Sequence, residues 1–209
     1  MASLAGLAYG LIFSHRAGGP ARMLLKVSGV VILAGTGLAA GGPWLLWAAL
    51  LASAAGDGFL AGRPERWLLP GMAAFFLAHV FYVALFWQLG HGDGAWSLTV
   101  KIGQAALVLG GAFYIRWLVP WIVRPMRLPV SLYGAVILMM GAAAIALPAA
   151  FWPVTVGALM FIASDGILAY QLFCRPPDAP AQRPASYAVW FLYFLGQAAI
   201  MLGVVSIPA

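Results

Sequence analysis

The chain has 209 residues, of which 64% are hydrophobic and 8% are charged, and its mean hydropathy is +0.98. Ordinary globular domains carry about 25% charged residues, so this composition excludes a soluble domain and indicates an integral membrane protein. The apolar runs are continuous, which predicts membrane helices rather than the alternating strands of a barrel. The single cysteine, Cys174, excludes an intrachain disulfide and a cysteine-rich metal site.

Eight apolar runs predict a single transmembrane domain, residues 1–209, built as an all-α bundle of eight transmembrane helices. The first run, Ala2–Phe13, lacks the positive start and clear cleavage site of a signal peptide, so it is interpreted as a short or tilted span. The other predicted spans are, in chain order, Met23–Ala40, Trp44–Ala61, Trp67–Leu89, Trp96–Val119, Val130–Leu147, Val154–Phe173 and Tyr187–Ile207.

The connections between spans are short and rich in glycine and proline. Gly41-Gly42-Pro43 predicts a tight turn, and Pro148–Pro153 is expected to turn the chain again. Pro120–Pro129 is expected to be a loop or an interfacial segment. Arg175–Pro184, with four prolines, predicts a flexible exposed loop.

The basic residues are distributed asymmetrically. Ten of the eleven lysines and arginines lie in or beside the odd-numbered loops, and Lys101 lies on the other side. By the positive-inside rule, the basic loops are cytoplasmic and both termini face outward. We therefore expect a protein of the bacterial inner (plasma) membrane. The net charge of +6 is explained by the orientation of the helices in the membrane, so no nucleic-acid partner is expected. The ten residues are Arg16, Arg22, Lys26, Arg63, Arg66, Arg116, Arg124, Arg127, Arg175 and Arg183.

One short phrase occurs twice in apolar surroundings. The copies are Gly56-Asp57-Gly58-Phe59-Leu60-Ala61 and Ser164-Asp165-Gly166-Ile167-Leu168-Ala169. A carboxylate at membrane depth costs roughly 2.5 kcal/mol or more, so both aspartates are functional candidates. The copies lie four spans apart, so their helices run in the same direction. This places both aspartates towards the cytoplasmic half of the bilayer and suggests two parallel four-helix repeats.

Other polar side chains fall inside the apolar spans and are candidates for binding substrate. They are Lys26, His79, Tyr82, Tyr133, Ser164, Tyr193 and Gln197. Each also has a structural interpretation: Lys26 can extend to the membrane surface, His79 can be a satisfied core residue, and Gln197 can join helices. Asp57 itself can be an interfacial residue at the end of its span.

Two carboxylates in one low-dielectric pocket titrate as a pair, so one can hold a proton while the other stays ionised. Such a pair supplies a general acid and a general base, as in the addition of water to an acid-activated bond. The same pair can instead bind a transported proton or cation, and a non-catalytic membrane scaffold is a third alternative. With His15 and His91 in loops, one buried histidine remains, so no multi-histidine zinc site is expected.

Several spacings, in order along the chain, carry a resemblance to a known family. They are Ser53-x-x-x-Asp57, Phe75-Phe76-x-x-His79-x-x-Tyr82, Tyr133-x-x-x-Ile137-x-x-Met140, Gly157-Ala158-x-x-Phe161-x-x-Ser164-Asp165-x-x-Leu168-Ala169 and Tyr193-x-x-x-Gln197. Together they resemble the YhhN family of membrane lysoplasmalogenases. The chain departs from that pattern at Val27, where the family often has proline after the lysine, and in its short first span.

The resemblance implies an eight-helix membrane enzyme that hydrolyses the vinyl ether bond of a lysophospholipid without a redox cofactor, nucleotide or metal. Asp57 and Asp165 would be the acid and base, in an order that the sequence leaves open. Lys26 and the loop arginines would hold the phosphate head group, and the substrate would enter from the cytoplasmic leaflet. The remaining candidates would shape the pocket. The alternative function is a small proton-coupled transporter or lipid-binding protein that uses the same aspartates.

Overall fold

The structure, a computed structural model, describes residues 20–61, 64–90, 97–176 and 182–207. Within these ranges the chain forms seven α-helices and two short 3₁₀ segments, and no strand. The helices are α1 (Pro20–Ala39), α2 (Trp44–Leu60), α3 (Pro64–Gln88), α4 (Leu98–Leu118), α5 (Arg124–Ile145), α6 (Trp152–Phe173) and α7 (Arg183–Ser206). They correspond to the second to eighth predicted spans. The first predicted span, Ala2–Phe13, lies outside the described residues.

The described helices have the length and composition of membrane spans. Five segments are long and apolar enough to cross a membrane, whereas Met23–Ala39 and Trp44–Leu60 are apolar but shorter. Large apolar side chains also face outward, such as Leu109 and Phe113 of α4, which are 70% and 75% exposed. Lipid solvates such a surface, so the expectation of an all-α integral membrane protein is confirmed for the described residues. The five long segments are Arg66–Gln88, Leu98–Trp121, Arg124–Ile145, Ala149–Phe173 and Arg183–Ser206.

Proline is the second residue of three helices, because its missing N–H is one that the first turn leaves unpaired in any case. Pro125, Pro153 and Pro184 occupy this position in α5, α6 and α7. The predicted loop Arg175–Pro184 is therefore too long at its end, since α7 begins at Arg183.

The segment Pro120–Pro129, predicted to be a loop or an interfacial segment, is helical in its second half. A 3₁₀ turn covers Val119–Trp121, and α5 begins at Arg124 with Pro129 inside it. Pro129 is the sixth residue of α5, where it removes the backbone hydrogen bond that another residue would donate to the Pro125 carbonyl. The Nε atom of Arg127 donates to the carbonyl oxygen of Ile122 at 3.0 Å, which ties the first turn of α5 to the preceding segment.

The tight turn predicted between the second and third spans is confirmed. Gly41 has φ +77°, a left-handed conformation that side-chain-bearing residues rarely adopt. The backbone N–H of Gly42 donates to the carbonyl oxygen of Gly37 at 2.9 Å and closes the end of α1. α2 therefore folds back directly against α1.

Glycines allow the closest helix contacts, as is common in membrane bundles. A Cβ atom on Gly157 of α6 would lie 2.5 Å from the carbonyl oxygen of Gly196 in α7. A Cβ atom on Gly56 of α2 would lie 2.5 Å from the ring of Phe75 in α3. These two approaches bring α7 and α3 against the helices that carry the aspartates.

Six helices surround the core, and α4 packs at the periphery. α2 contacts α1 and α3, α7 contacts α1, α2 and α6, and α5 joins α3, α4 and α6. Of α4 itself, only Leu118 is buried. The core therefore lies between α1, α2, α3, α5, α6 and α7, and the candidate site opens from it.

Candidate active site

Asp57 and Asp165 line one cavity of about 210 Å³. Each lies in the C-terminal part of its helix, Asp57 in α2 and Asp165 in α6. The two copies of the repeated phrase thus place two carboxylates in a common space, whereas the direction of the predicted spans indicated only a similar depth for both. Four further polar candidates line the same cavity, namely Lys26, Tyr133, Ser164 and Tyr193.

The other wall of the cavity is apolar. It is formed by apolar side chains of α2, α3, α5, α6 and α7. A cavity with a charged end and an apolar wall matches an amphiphile better than a small polar molecule. The apolar lining includes Leu60, Leu68, Met72, Val130, Leu168, Leu172 and Trp190.

Asp57 is 1% exposed and has two partners on two other helices. The Nζ atom of Lys26 lies 2.6 Å from Oδ1, and the hydroxyl of Tyr193 donates to Oδ2 at 2.7 Å. Each carboxylate oxygen is thus held separately, so the group is fixed in orientation and faces a cation. Lys26 of α1, which was expected to bind a phosphate, forms an ion pair with Asp57.

Asp165 has a different environment. Tyr133 of α5 donates its hydroxyl hydrogen to Oδ2 of Asp165. Both side chains are half-buried, since they form part of the cavity surface. Asp57 faces an ammonium group, whereas Asp165 accepts a hydrogen bond from a neutral hydroxyl. The two carboxylates of the cavity are therefore not equivalent.

Ser164 lies beside Asp165, but its hydroxyl is committed to the backbone. It donates to the carbonyl oxygen of Val189 in α7 at 2.8 Å. Ser164 therefore joins α6 to α7 next to the cavity, and its role in this geometry is to hold the two helices in register.

Aromatic rings pack edge to face behind the carboxylates. Phe161 of α6 contacts His79, Tyr193 and Phe75, with ring centroids 4.8, 5.2 and 6.2 Å apart. His79 also contacts Tyr133 at 5.4 Å. The two tyrosines that bond the aspartates thus share a rigid aromatic support, which limits the positions of their hydroxyl groups.

Three candidates, His79, Tyr82 and Gln197, are absent from the cavity lining. They are completely buried behind it. Nδ1 of His79 lies 2.5 Å from the carbonyl oxygen of Phe75, and Tyr82 donates its hydroxyl hydrogen to Oε1 of Gln197. These residues therefore support the site and do not face its open space.

Phe161, Phe75 and Trp190 were not among the residues predicted from the sequence to form the site. Phe161 and Phe75 occur in the motifs that carry the family resemblance, and each precedes a candidate polar residue by one helical turn. Trp190 lines the cavity three residues before Tyr193. Position on the same helical face was the available signal.

No three histidine, cysteine, aspartate or glutamate side chains come together in the part of the chain that the structure describes. The titratable side chains that line the cavity are instead two carboxylates, one ammonium group and two phenols. These are groups for acid–base chemistry on a bound molecule.

Comparison with known proteins relates the chain to one family. The YhhN family model matches residues 21–204. Human lysoplasmalogenase TMEM86B is 35% identical over 133 residues, which cover 63% of this chain and 53% of that protein. Bovine lysoplasmalogenase TMEM86A is 32% identical over 139 residues, 63% of this chain and 55% of that protein.

These alignments cover about half the length of the curated relatives. No solved structure matches the chain. The family model, by contrast, covers most of the sequence, including every helix that lines the cavity. The chain therefore belongs to the YhhN family.

Proposed function

We propose that the protein is a membrane lysoplasmalogenase, which hydrolyses the vinyl ether bond of a lysophospholipid to a fatty aldehyde and a glycerophospho head group. The observation that carries the proposal is the cavity in which Asp57 and Asp165 meet beside an apolar wall. The names of the relatives, both lysoplasmalogenases, support the same reaction. The substrate's alkenyl chain fits the apolar wall, and its ether oxygen fits the polar end.

The different partners of the two carboxylates suggest their roles. Asp57 faces the Lys26 ammonium at 2.6 Å, an arrangement that favours its ionised form. Asp165, which accepts a hydrogen bond from Tyr133, is then the carboxyl group that shares the remaining proton. We assign Asp165 as the general acid and Asp57 as the general base.

The reaction begins when Asp165 gives its proton to the vinyl carbon remote from the ether oxygen. The adjacent carbon becomes an oxocarbenium ion, and the ionised carboxylate of Asp57 stabilises it and takes a proton from the attacking water. The resulting hemiacetal loses its carbon–oxygen bond to the glyceryl oxygen, which leaves with the hydroxyl proton. The aldehyde forms, one water is consumed, and the carboxylate pair again holds one proton.

Lys26 can serve both Asp57 and the substrate, because an ammonium group has three donors. It lines the cavity and is 18% exposed, so one donor can face a phosphate oxygen while another holds Asp57. The loop arginines complete the head-group site at the membrane surface. This keeps the polar end of the lipid at the interface and places its vinyl ether at the depth of the aspartates.

We also propose eight spans in two parallel repeats, with basic loops in the cytoplasm of a bacterial inner membrane and both termini outside. Matching helix contacts support the duplication: α2 pairs with α3 as α6 pairs with α7, and α3 contacts α5 as α7 contacts α1. Each aspartate is bonded from the preceding helix, Asp57 by Lys26 and Asp165 by Tyr133. The ten basic residues in or beside the odd-numbered loops support this orientation by the positive-inside rule.

The test is release of fatty aldehyde from a vinyl-ether lysophospholipid by the purified protein in detergent or liposomes. The wild type should release aldehyde, and Asp57→Asn and Asp165→Asn should each reduce the rate by about 100-fold or more with the fold intact. Gln104→Leu, at a glutamine that bonds the Ala142 carbonyl away from the cavity, is the control. No aldehyde from the wild type, with substrate-dependent flux in liposomes, would instead identify a carrier.

A further inference from the structure

Three buried polar atoms have no hydrogen-bond partner among the described residues. They are Oγ of Ser53 in α2, Nε2 of His79 in α3 and Nε2 of Gln197 in α7. All three side chains are 0% exposed. A buried polar atom without a partner costs about 1–3 kcal/mol, so three of them in one protein core indicate a bound group that satisfies them.

The three atoms belong to one level of the bundle. Ser53 precedes Asp57 by four residues, Gln197 follows Tyr193 by four, and His79 follows Phe75 by four. Four residues are about one helical turn, or roughly 6 Å along the axis. The α2 helix runs opposite to α3 and α7. Ser53, His79 and Gln197 are therefore all displaced from the cavity in the same direction along the bundle.

Cross-helix contacts hold this level together. The Tyr193 hydroxyl bonds Asp57, and its ring contacts that of Phe75, with centroids 5.8 Å apart, so α2, α3 and α7 meet at the carboxylate. One turn deeper, Tyr82 of α3 donates to Gln197 of α7. This bond joins α7, which carries Gln197, to α3, which carries His79 three residues before Tyr82.

The hydrogen-bonding character of the three atoms specifies the bound group. Nδ1 of His79 donates to the Phe75 carbonyl, so in the neutral ring Nε2 accepts. The amide nitrogen of Gln197 donates, and the Ser53 hydroxyl can donate or accept. A water molecule both donates and accepts, and buried waters typically make about three hydrogen bonds to groups of this kind. A metal ion would be repelled by the amide donor.

We infer that Ser53, His79 and Gln197 form a buried water site one turn beneath Asp57, which supplies the water consumed in hydrolysis. This inference rests on the proposed function for its role, but the water site itself does not. A vinyl ether held among apolar side chains excludes bulk water, so a water held next to the base is in place when the oxocarbenium ion forms, and the site refills between turnovers. The water passes to Asp57, which takes its proton as the oxygen attacks the oxocarbenium carbon.

The direct test detects the water at His79 by solid-state NMR of the protein in liposomes. The chain has three histidines, so replacing His15 and His91 by glutamine leaves His79 as the single labelled imidazole. Polarisation should pass from water to Nε2 of His79 quickly, whereas the fully buried Leu50 and Phe86 side chains should receive it slowly. A transfer to His79 as slow as to Leu50 overturns the inference.

Substitutions at Ser53 supply a shape-matched comparison. Valine and threonine have the same outline, but threonine keeps a hydroxyl. Ser53→Thr should keep the transfer to His79, and Ser53→Val should abolish it. Equal behaviour of the two variants would contradict the water site. Ser28→Val is the control, because the half-buried Ser28 bonds the Leu25 carbonyl within α1.

Kinetics separate this inference from the proposed function. Relative to Ser53→Thr, Ser53→Val should lower kcat by about tenfold, the factor that one hydrogen bond contributes, with KM unchanged. If the wild type releases no aldehyde, the proposed function fails while the NMR result still decides the water site. If aldehyde is released and His79 receives no water polarisation, only the water site fails.

Discussion

The ammonium nitrogen of Lys26 lies 2.6 Å from Oδ1 of Asp57 and joins α1 to α2 at the level of the cavity. Asp57 is 1% exposed and Lys26 is 18% exposed, so the lysine reaches the surface and the aspartate does not. The pair therefore has unequal members. Loss of the lysine leaves a fully buried negative charge, whereas loss of the aspartate leaves a cation that can turn outward.

This asymmetry predicts unequal stabilities. Lys26→Met should destabilise the protein by about 3–5 kcal/mol, the usual cost of stranding a buried charge, and Asp57→Asn should cost less. The double variant Lys26→Met with Asp57→Asn should be more stable than Lys26→Met alone. Unfolding of the detergent-solubilised proteins measures all three. Strictly additive losses would show that the two side chains do not interact.

Two tyrosines offer a matched comparison at α6. Tyr133 donates to the Asp165 carboxylate, whereas Tyr114 donates to the carbonyl oxygen of Gly166 at 2.8 Å. Tyr133→Phe should lower kcat by about tenfold or more, because the general acid loses the group that orients it. Tyr114→Phe should leave aldehyde release within about twofold of the wild type. Similar losses in both variants would indicate a general disturbance of α6 and not a role for Tyr133 at Asp165.

Much of the helix pattern could be predicted from apolar runs and charge, because both are properties of the sequence alone. Helix starts were less predictable, because proline was taken to mark loops. Pro125 and Pro184 instead lie in the first turn of a helix, and Pro129 lies within α5. A proline in the first turns removes few backbone bonds, so the rule against proline weakens there.

The direction of their helices predicted a similar depth for Asp57 and Asp165, but it predicted neither their shared cavity nor the partners of each. Spacing shows which residues share a face of one helix, and it does not fix how neighbouring helices are rotated about their axes. Rotation decides that Lys26 meets Asp57 and that Tyr82 meets Gln197. For the same reason, the sequence could not show that His79 lies behind the cavity.

The close contact between α6 and α7 predicts that one added methyl group at Gly157 lowers the stability of the protein. In Gly157→Ala, the new Cβ would lie 2.5 Å from the Gly196 carbonyl oxygen, so the helices must separate. We expect destabilisation of about 1–3 kcal/mol and reduced activity, because Asp165 and Tyr193 lie on these two helices. Gly110→Ala in α4 meets nothing within 4 Å and should be neutral or slightly stabilising. Equal stability of both variants would contradict the close contact.

Cys174 is a natural probe of orientation, since it is the single cysteine of the chain and follows α6 directly. A membrane-impermeant maleimide should label it in inverted membrane vesicles and not in intact cells. Burial raises the pKa of the Cys174 thiol, so labelling is run at mildly alkaline pH. Cys174→Ser gives the background. Labelling from outside the cell would reverse the proposed topology.

The central claim, that a carboxyl group of the cavity protonates a vinyl ether, is tested most directly by hydrolysis in heavy water. The purified wild type should release fatty aldehyde carrying one deuterium on the carbon next to the aldehyde group, when the product is trapped at once. Asp165→Asn should release aldehyde at least about 100-fold more slowly. Aldehyde without that deuterium, or an unchanged rate in Asp165→Asn, would contradict the account.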